Sequence, residues 1–376
     1  MTAIAKLSPQ QLQIDLQSKG MKLANMNAGA AGRQGGAGPS DHKAVHVFGA
    51  TIMVPIFNHV SATSPYYATE PNELGVSELH FEGRKITTIS FPKQPNFYKY
   101  STSDGVPMWK IAQLHSHNVL ATTVLQTCIR FFDRSTSCQF CAIGQSLKAE
   151  RTIAYKLPHH LAETAKIAVE QDGIEQFVMT TGTPSSTDRG AKILHQSVLA
   201  VRAVVDIPIQ VQCEPPDDFI WFERLKSAGA NSLGMHLETV ETHVRQHIMP
   251  GKAEVPVEYY MEAFKAAVKV FGKGNVSTYL LAGLGDSQDA LINMSDELVQ
   301  IGVYPFIVPF VPIKGTPLEN HTPPSQLFMQ GILEPVAKML VKANMTSDTL
   351  EAGCGKCGAC STLKSFETKA KLAYAV

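Results

Sequence analysis

Six of the seven cysteines stand in two triplets, and thiols grouped so tightly bind metal more readily than they form a disulfide framework. The first triplet, Cys128, Cys138 and Cys141, has the spacing C-x9-C-x2-C in a polar loop that also holds Asp133, Arg134 and Ser135. Three thiolates hold three irons of a [4Fe–4S] cubane and leave the fourth iron open. A structural zinc needs four protein ligands; no fourth cysteine is near, so His159 or His160 would have to serve. Thiols buried as small hydrophobes are the third reading. The second triplet, Cys354, Cys357 and Cys360, is C-x2-C-x2-C with glycines between. It matches the start of a ferredoxin-type run, in which small residues let the backbone wrap an auxiliary cluster. Zinc and an oxidation-prone tail are its alternatives. A fourth ligand is missing; Cys213, in Val-Gln-Cys-Glu-Pro-Pro, would complete the site, touch substrate or simply fill the core.

The elements that position these residues follow from hydrophobic patterning. From about residue 120, apolar runs suited to buried strands fall at Ala121–Cys128, Gln176–Thr181, Ile209–Cys213, Ser232–Leu237, Val276–Gly283 and Tyr304–Val311. Helical patterns lie between them, and Leu327–Ala343 follows the sixth. Six βα units imply a parallel sheet and an α/β fold, a partial (βα)6 TIM-type barrel with its chemistry at the C-terminal strand ends. Residues 1–118 read as a β-rich N-terminal region, with strand-like runs at Ala44–Pro55, Glu78–Phe81 and Ile86–Phe91 and a hairpin turn at Glu82-Gly83-Arg84. Residues 119–345 read as the barrel and 346–376 as a Cys-rich C-terminal tail. The first 40 or so residues look poorly packed, apart from a short polar helix over Pro9–Lys19. Their Gly-rich loop, from Asn27, suits a flap over the barrel mouth, with Asp41-His42 after it. That loop lacks the Lys-Ser/Thr ending of a P-loop, which disfavours nucleoside triphosphate binding.

The loop after the first strand, with Phe140 between the last two cysteines, resembles the radical S-adenosylmethionine (radical SAM) superfamily. There three cysteines bind the cluster and SAM chelates the open iron. The usual spacing is C-x3-C-x2-C, so the nine-residue gap is a departure. Met179-Thr180-Thr181-Gly182-Thr183 stands where the family often has Gly-Gly-Glu against the methionine amino group; without the acid, backbone carbonyls and threonine side chains take that place. Gly234 to Thr239, including Glu238, resembles the segment that holds the ribose and methionine portions, and Arg245 matches an arginine paired with the SAM carboxylate. Tyr279 to Asp286, including Gly283, is similar to the fifth-strand adenine motif. Pro309 to Leu318 is similar to the sixth-strand end of biotin synthase. The stretch Gly35–Ala44, together with the long cysteine gap, also resembles a radical SAM family encoded beside nitrilases in bacterial gene clusters.

This resemblance implies an enzyme that reductively cleaves SAM to a 5′-deoxyadenosyl radical and abstracts hydrogen from a small-molecule substrate. A second iron–sulfur cluster would insert sulfur or anchor substrate. Electrons would come from a reductase, flavodoxin or ferredoxin. The competing readings are a non-enzymatic iron–sulfur or zinc scaffold and a SAM methyltransferase without radicals. With 33 basic and 33 acidic residues the net charge is zero, which argues against nucleic-acid binding through bulk positive charge. The longest strongly apolar run, Val303–Ile313, contains three prolines and is too short to span a membrane, and the first residues lack a signal peptide's apolar core. A soluble, cytoplasmic protein is expected.

Overall fold

The computed structural model describes residues 7–24 and 41–374. The Gly-rich stretch, and with it most of the expected flap, lies outside these residues. Two sheets, each with its own apolar core, make up most of the described residues. The first helix, α1 (Pro9–Lys19), begins where Ser8 caps it and Gln11 returns the bond, with Pro9 at the position that needs no N–H. Contrary to the expectation of a poorly packed N-terminus, α1 buries Leu12, Ile14 and Leu16, and Gly20 ends it with φ +63°. A side chain at Gly20 would collide with the carbonyl of Pro55.

The N-terminal sheet comprises β1 (Lys22–Leu23), β2 (His42–Val47), β3 (Ala50–Pro55), β4 (Tyr66–Ala68), β5 (Val76–Phe81) and β6 (Arg84–Ser90), in the order β1-β4-β5-β6-β2-β3. The run Ala44–Pro55, which reads as one strand, folds into the β2–β3 hairpin. Both turn residues, Phe48 and Gly49, have positive φ, which suits the twist of a two-residue hairpin loop. Phe48 hid this turn because a bulky residue there is uncommon. The β5–β6 turn falls at Glu82-Gly83, as expected.

The second sheet runs β13-β12-β11-β10-β9-β8-β7. Its strands are β7 (Gln113–His115), β8 (Val119–Thr123), β9 (Gln176–Thr180), β10 (Ile209–Gln212), β11 (Ser232–Gly234), β12 (Val276–Ala282) and β13 (Val303–Pro309). All neighbours from β8 to β13 are parallel, and β7 is an antiparallel addition at the edge. The crossovers carry α2 (Pro158–Asp172), α3 (Ala191–Arg202), α4 (Ile220–Ser227), α5 (Val257–Phe271) and α6 (Gln288–Gln300), and α7 (Gln326–Lys342) follows β13. Because β7 and β13 are not paired, the barrel stays open on one side, the expected partial (βα)6 arrangement. The strands are nearly continuous apolar runs because both faces are covered.

The Cys-rich tail closes the barrel at the N-terminal ends of its strands. Ser232 donates to the carbonyl of Ala352, the Gly353 N–H to Gln176 Oε1 and the Cys354 N–H to Gln210 Oε1. Gly353 has φ +99°, and a side chain there would sit on the Gln210 amide. The tail ends in α8 (Leu363–Tyr374), which packs on α7. Glu367 of α8 accepts from the Tyr304 hydroxyl at 2.6 Å and from the Ser347 N–H and hydroxyl. The N-terminal sheet meets the tail from the side: the Met53 N–H and the Gln17 amide both donate to the Ala359 carbonyl.

Candidate active site

Cys128, Cys138 and Cys141 all line one cavity of about 340 Å³ at the C-terminal strand ends, despite the long gap in sequence. The backbone after β8 runs irregularly to Cys128, so the first strand ends earlier than its apolar pattern suggested. Gly182 lets this happen: a Cβ there would lie 2.0 Å from the Thr127 carbonyl oxygen, one residue before Cys128. The intervening loop is tied down by Asp133, which accepts from Ser135, and by the Thr136 carbonyl, which accepts the Gly251 N–H.

The remaining walls come from successive strand ends. Thr180 ends β9 with Thr181 and Gly182 after it, Cys213 and Glu214 follow β10, and His236 and Glu238 follow β11. Glu238 stands at φ +66°, uncommon for a residue with a side chain, and its carboxylate pairs with Lys252 Nζ at 2.6 Å. Both partners are largely buried. Burial alone would discharge Lys252, but the charge of Glu238 outweighs it and pushes its pKa up, so the ammonium persists. Glu214 accepts from Arg130 and from Thr183 Oγ1 through one oxygen, while its other oxygen is buried with no partner among the described residues. The cavity thus presents a cation, Lys252, and a carboxylate acceptor, Glu214, in one lining.

Burial pushes the Cys138 thiol well up and the Cys141 thiol to about 12. Such thiols keep their protons until a metal displaces them. Among the described residues, the ligand atoms of Asp104, His159 and His160 lie within 4.8 Å of one another, and neither cysteine triplet gathers so tightly. His159 and His160 are engaged elsewhere: both face Asp104, and His160 Nδ1 accepts the Leu157 N–H, which leaves its other nitrogen protonated toward the carboxylate.

A second cavity of about 320 Å³ lies deeper in the barrel and is lined by Cys354, Cys357 and Cys360. Phe140, Thr180, Gln212, His236, Glu238 and Ile313 line both cavities, so the two are halves of one lumen. Cys213 lines only the upper half. Outside, a groove of about 700 Å³ bounded by Phe48, His117 and Lys364 also reaches Cys357.

Two sequence-derived site residues stand away from this lumen. Arg245 is buried, and its guanidinium donates to the carbonyls of Leu237, Thr239 and Val255. It braces the Glu238 segment, and Lys252 takes its place as the cation at the cavity. Gly283 ends β12 with φ +104°, packed on Pro324, and its carbonyl contacts His321 Nε2 at 2.8 Å. Lys252 was missed because one lysine in Met-Pro-Gly-Lys carries no periodic signal.

Residues 135–298 match the family model described as Radical SAM superfamily. This segment of the chain is similar to the radical SAM superfamily. The matched segment contains Cys138 and Cys141, with Cys128 just before it. The chain is 29% identical over 225 residues to bacteriochlorophyllide c C-7(1)-hydroxylase of Chlorobaculum limnaeum, covering 55% of this chain and 56% of that protein. An uncharacterized protein of Methanocaldococcus jannaschii is 23% identical over 223 residues, covering 57% and 56%. The chain therefore spans just over half the length of these curated relatives. Among solved structures, methylornithine synthase superposes with a TM-score of 0.44 at 18% identity, covering 58% of this chain and 61% of that one. An FeFe-hydrogenase maturase from Carboxydothermus hydrogenoformans gives 0.44 at 17%, covering 60% and 52%. The family that this model describes uses a [4Fe–4S] cluster and SAM as cofactors, in accord with the cysteine-lined cavity. Among the described residues no helix is long and apolar enough to cross a membrane.

Proposed function

We propose that this enzyme cleaves SAM in the upper half of its lumen and attacks a C–H bond of a small, largely apolar molecule held in the lower half. The observation that carries this reading is the shared wall between the two cavities, which sets the two thiol triplets in adjoining spaces. Cys128, Cys138 and Cys141 would hold a [4Fe–4S] cluster, which would supply the electron for reductive cleavage of SAM. Lys252 binds the methionine carboxylate, one of its three donors being spent on Glu238. The unpartnered oxygen of Glu214 accepts from the methionine ammonium, the task that the family's missing acid would otherwise perform. Thr180, Thr181 and Gly182 line the same wall, and Phe140 and Ile313 separate the reacting centre from water.

The lower cavity is walled by Met53, Val178, Leu281, Val308 and Phe310 and lies near the small end of ligand pockets, roughly 300–1,000 Å³. Cys354, Cys357 and Cys360 would place a second iron–sulfur centre at its floor, to anchor the substrate or donate sulfur. A relative named for hydroxylation at one carbon of bacteriochlorophyllide c accords with attack on a C–H bond. The reductant is a flavodoxin, a ferredoxin or their reductase. The test is anaerobic reconstitution followed by iron and sulfide counts and a SAM-cleavage assay with dithionite. About eight irons per chain, four for each cubane, and 5′-deoxyadenosine lost in Cys138→Ala are expected. Full SAM turnover by C138A would refute the reading.

A further inference from the structure

The tail triplet lacks a fourth ligand, and the β7–β8 turn supplies a candidate. His115 is the last residue of β7, its ring is buried, and its Nε2 lies 3.3 Å from Cys360 Sγ. It lines the lower cavity together with all three tail cysteines. The turn is shaped to this end: Ser116 adopts φ +60°, a left-handed conformation few residues with side chains adopt, and its side chain bonds Cys357. Adjacent residues of one turn thus address two of the three tail thiols, although β7 lies more than two hundred residues away in sequence. Cys213, the sequence-level candidate, lines the other half of the lumen. Gln212 donates to Cys354 Sγ at 3.2 Å, and an amide so placed orients a thiolate rather than replacing one.

We propose that His115 is the fourth protein ligand of a Cys3His iron–sulfur centre formed with Cys354, Cys357 and Cys360 at the floor of the barrel. This rests on the second centre proposed above. An imidazole in place of a thiolate removes one negative charge from the cluster and raises its potential, as in other His-ligated iron–sulfur centres. Metal binding would replace the hydrogen bond between Nε2 and Cys360 Sγ. A centre with four protein ligands leaves no iron open to SAM or to substrate, which favours sulfur donation over substrate anchoring and makes the two triplets chemically distinct.

The experiment uses the full chain carrying Cys128→Ala, Cys138→Ala and Cys141→Ala, so that iron enters only the tail site. After anaerobic reconstitution, about four irons per chain are expected. Pulsed electron paramagnetic resonance of the reduced protein should show a nitrogen coupling that changes when histidine is labelled with 15N. In this background His115→Ala should lose the coupling and at least half of the iron. His115→Cys should restore the iron without the coupling, which shows that the variants fold. Retention of both coupling and iron in H115A, or loss of the coupling in His42→Ala instead, would overturn the assignment of His115. Fewer than one iron per chain with His115 intact would overturn the second centre itself, and the ligand assignment with it.

Discussion

Replacing Lys252 by methionine separates the structural from the binding role of the buried Lys252–Glu238 pair. The side chains are 9% and 15% exposed and meet at 2.6 Å. Removing the ammonium strands the Glu238 carboxylate, and breaking such a pair from one side costs about 3–5 kcal/mol. The double variant Lys252→Met, Glu238→Gln restores charge balance and should recover most of that loss, measured by urea denaturation of the metal-free protein. SAM affinity should behave otherwise. A hydrogen bond to a charged group contributes about 1.5–3 kcal/mol, or roughly 10- to 100-fold in affinity. Equilibrium binding of SAM to the reconstituted enzyme should therefore weaken by that factor in both the single and the double variant. Should the double variant regain stability and also bind SAM within twofold of wild type, Lys252 would hold Glu238 in place and nothing more.

Three further perturbations test the framework. Burial raises the Asp41 pKa from 3.8 to about 6, against the opposing charge of Lys314, so the folded state holds this proton more tightly than the unfolded chain. The stability it contributes is complete below 3.8 and is lost as pH climbs through about 6; Asp41→Asn should remove that slope and gain about 3 kcal/mol at pH 8 in chemical denaturation. Gly182→Ala drives a methyl group into the Thr127 carbonyl; it should cost about 1–3 kcal/mol and lower iron retention at the neighbouring Cys128 on gel filtration. Glu367→Ala strands the Tyr304 hydroxyl and the Ser347 N–H in the core. It should cost about 2–4 kcal/mol and expose the tail to limited proteolysis, whereas Glu367→Gln should lose less.

The barrel was legible because parallel strands buried on both faces leave apolar runs that no other element imitates, and five of the six fall within a few residues of their expected place. The first was read too long: Val124 to Cys128 continues the pattern of β8 but turns away to deliver Cys128 to the cavity. The cysteine triplets announced themselves by spacing. What the spacing did not carry was the partner of each triplet. Lys252 and His115 reach the lumen from a helix start and an edge hairpin, and a single lysine or histidine in such places is most often a packing residue. Arg245 matched the family pattern in sequence, yet its guanidinium fits the three carbonyls around it. The Phe48-Gly49 turn was hidden for the same reason, since its geometry comes from strand pairing and not from residue preference.

Electron paramagnetic resonance on a variant lacking Cys354, Cys357 and Cys360 isolates the upper site. Reduced anaerobically, that variant should give the signal of a single [4Fe–4S]⁺ cluster whose g-values shift when SAM is added, with 17O-labelled SAM carboxylate broadening the spectrum. A signal indifferent to SAM, or no cluster signal with all three upper cysteines present, would contradict the account.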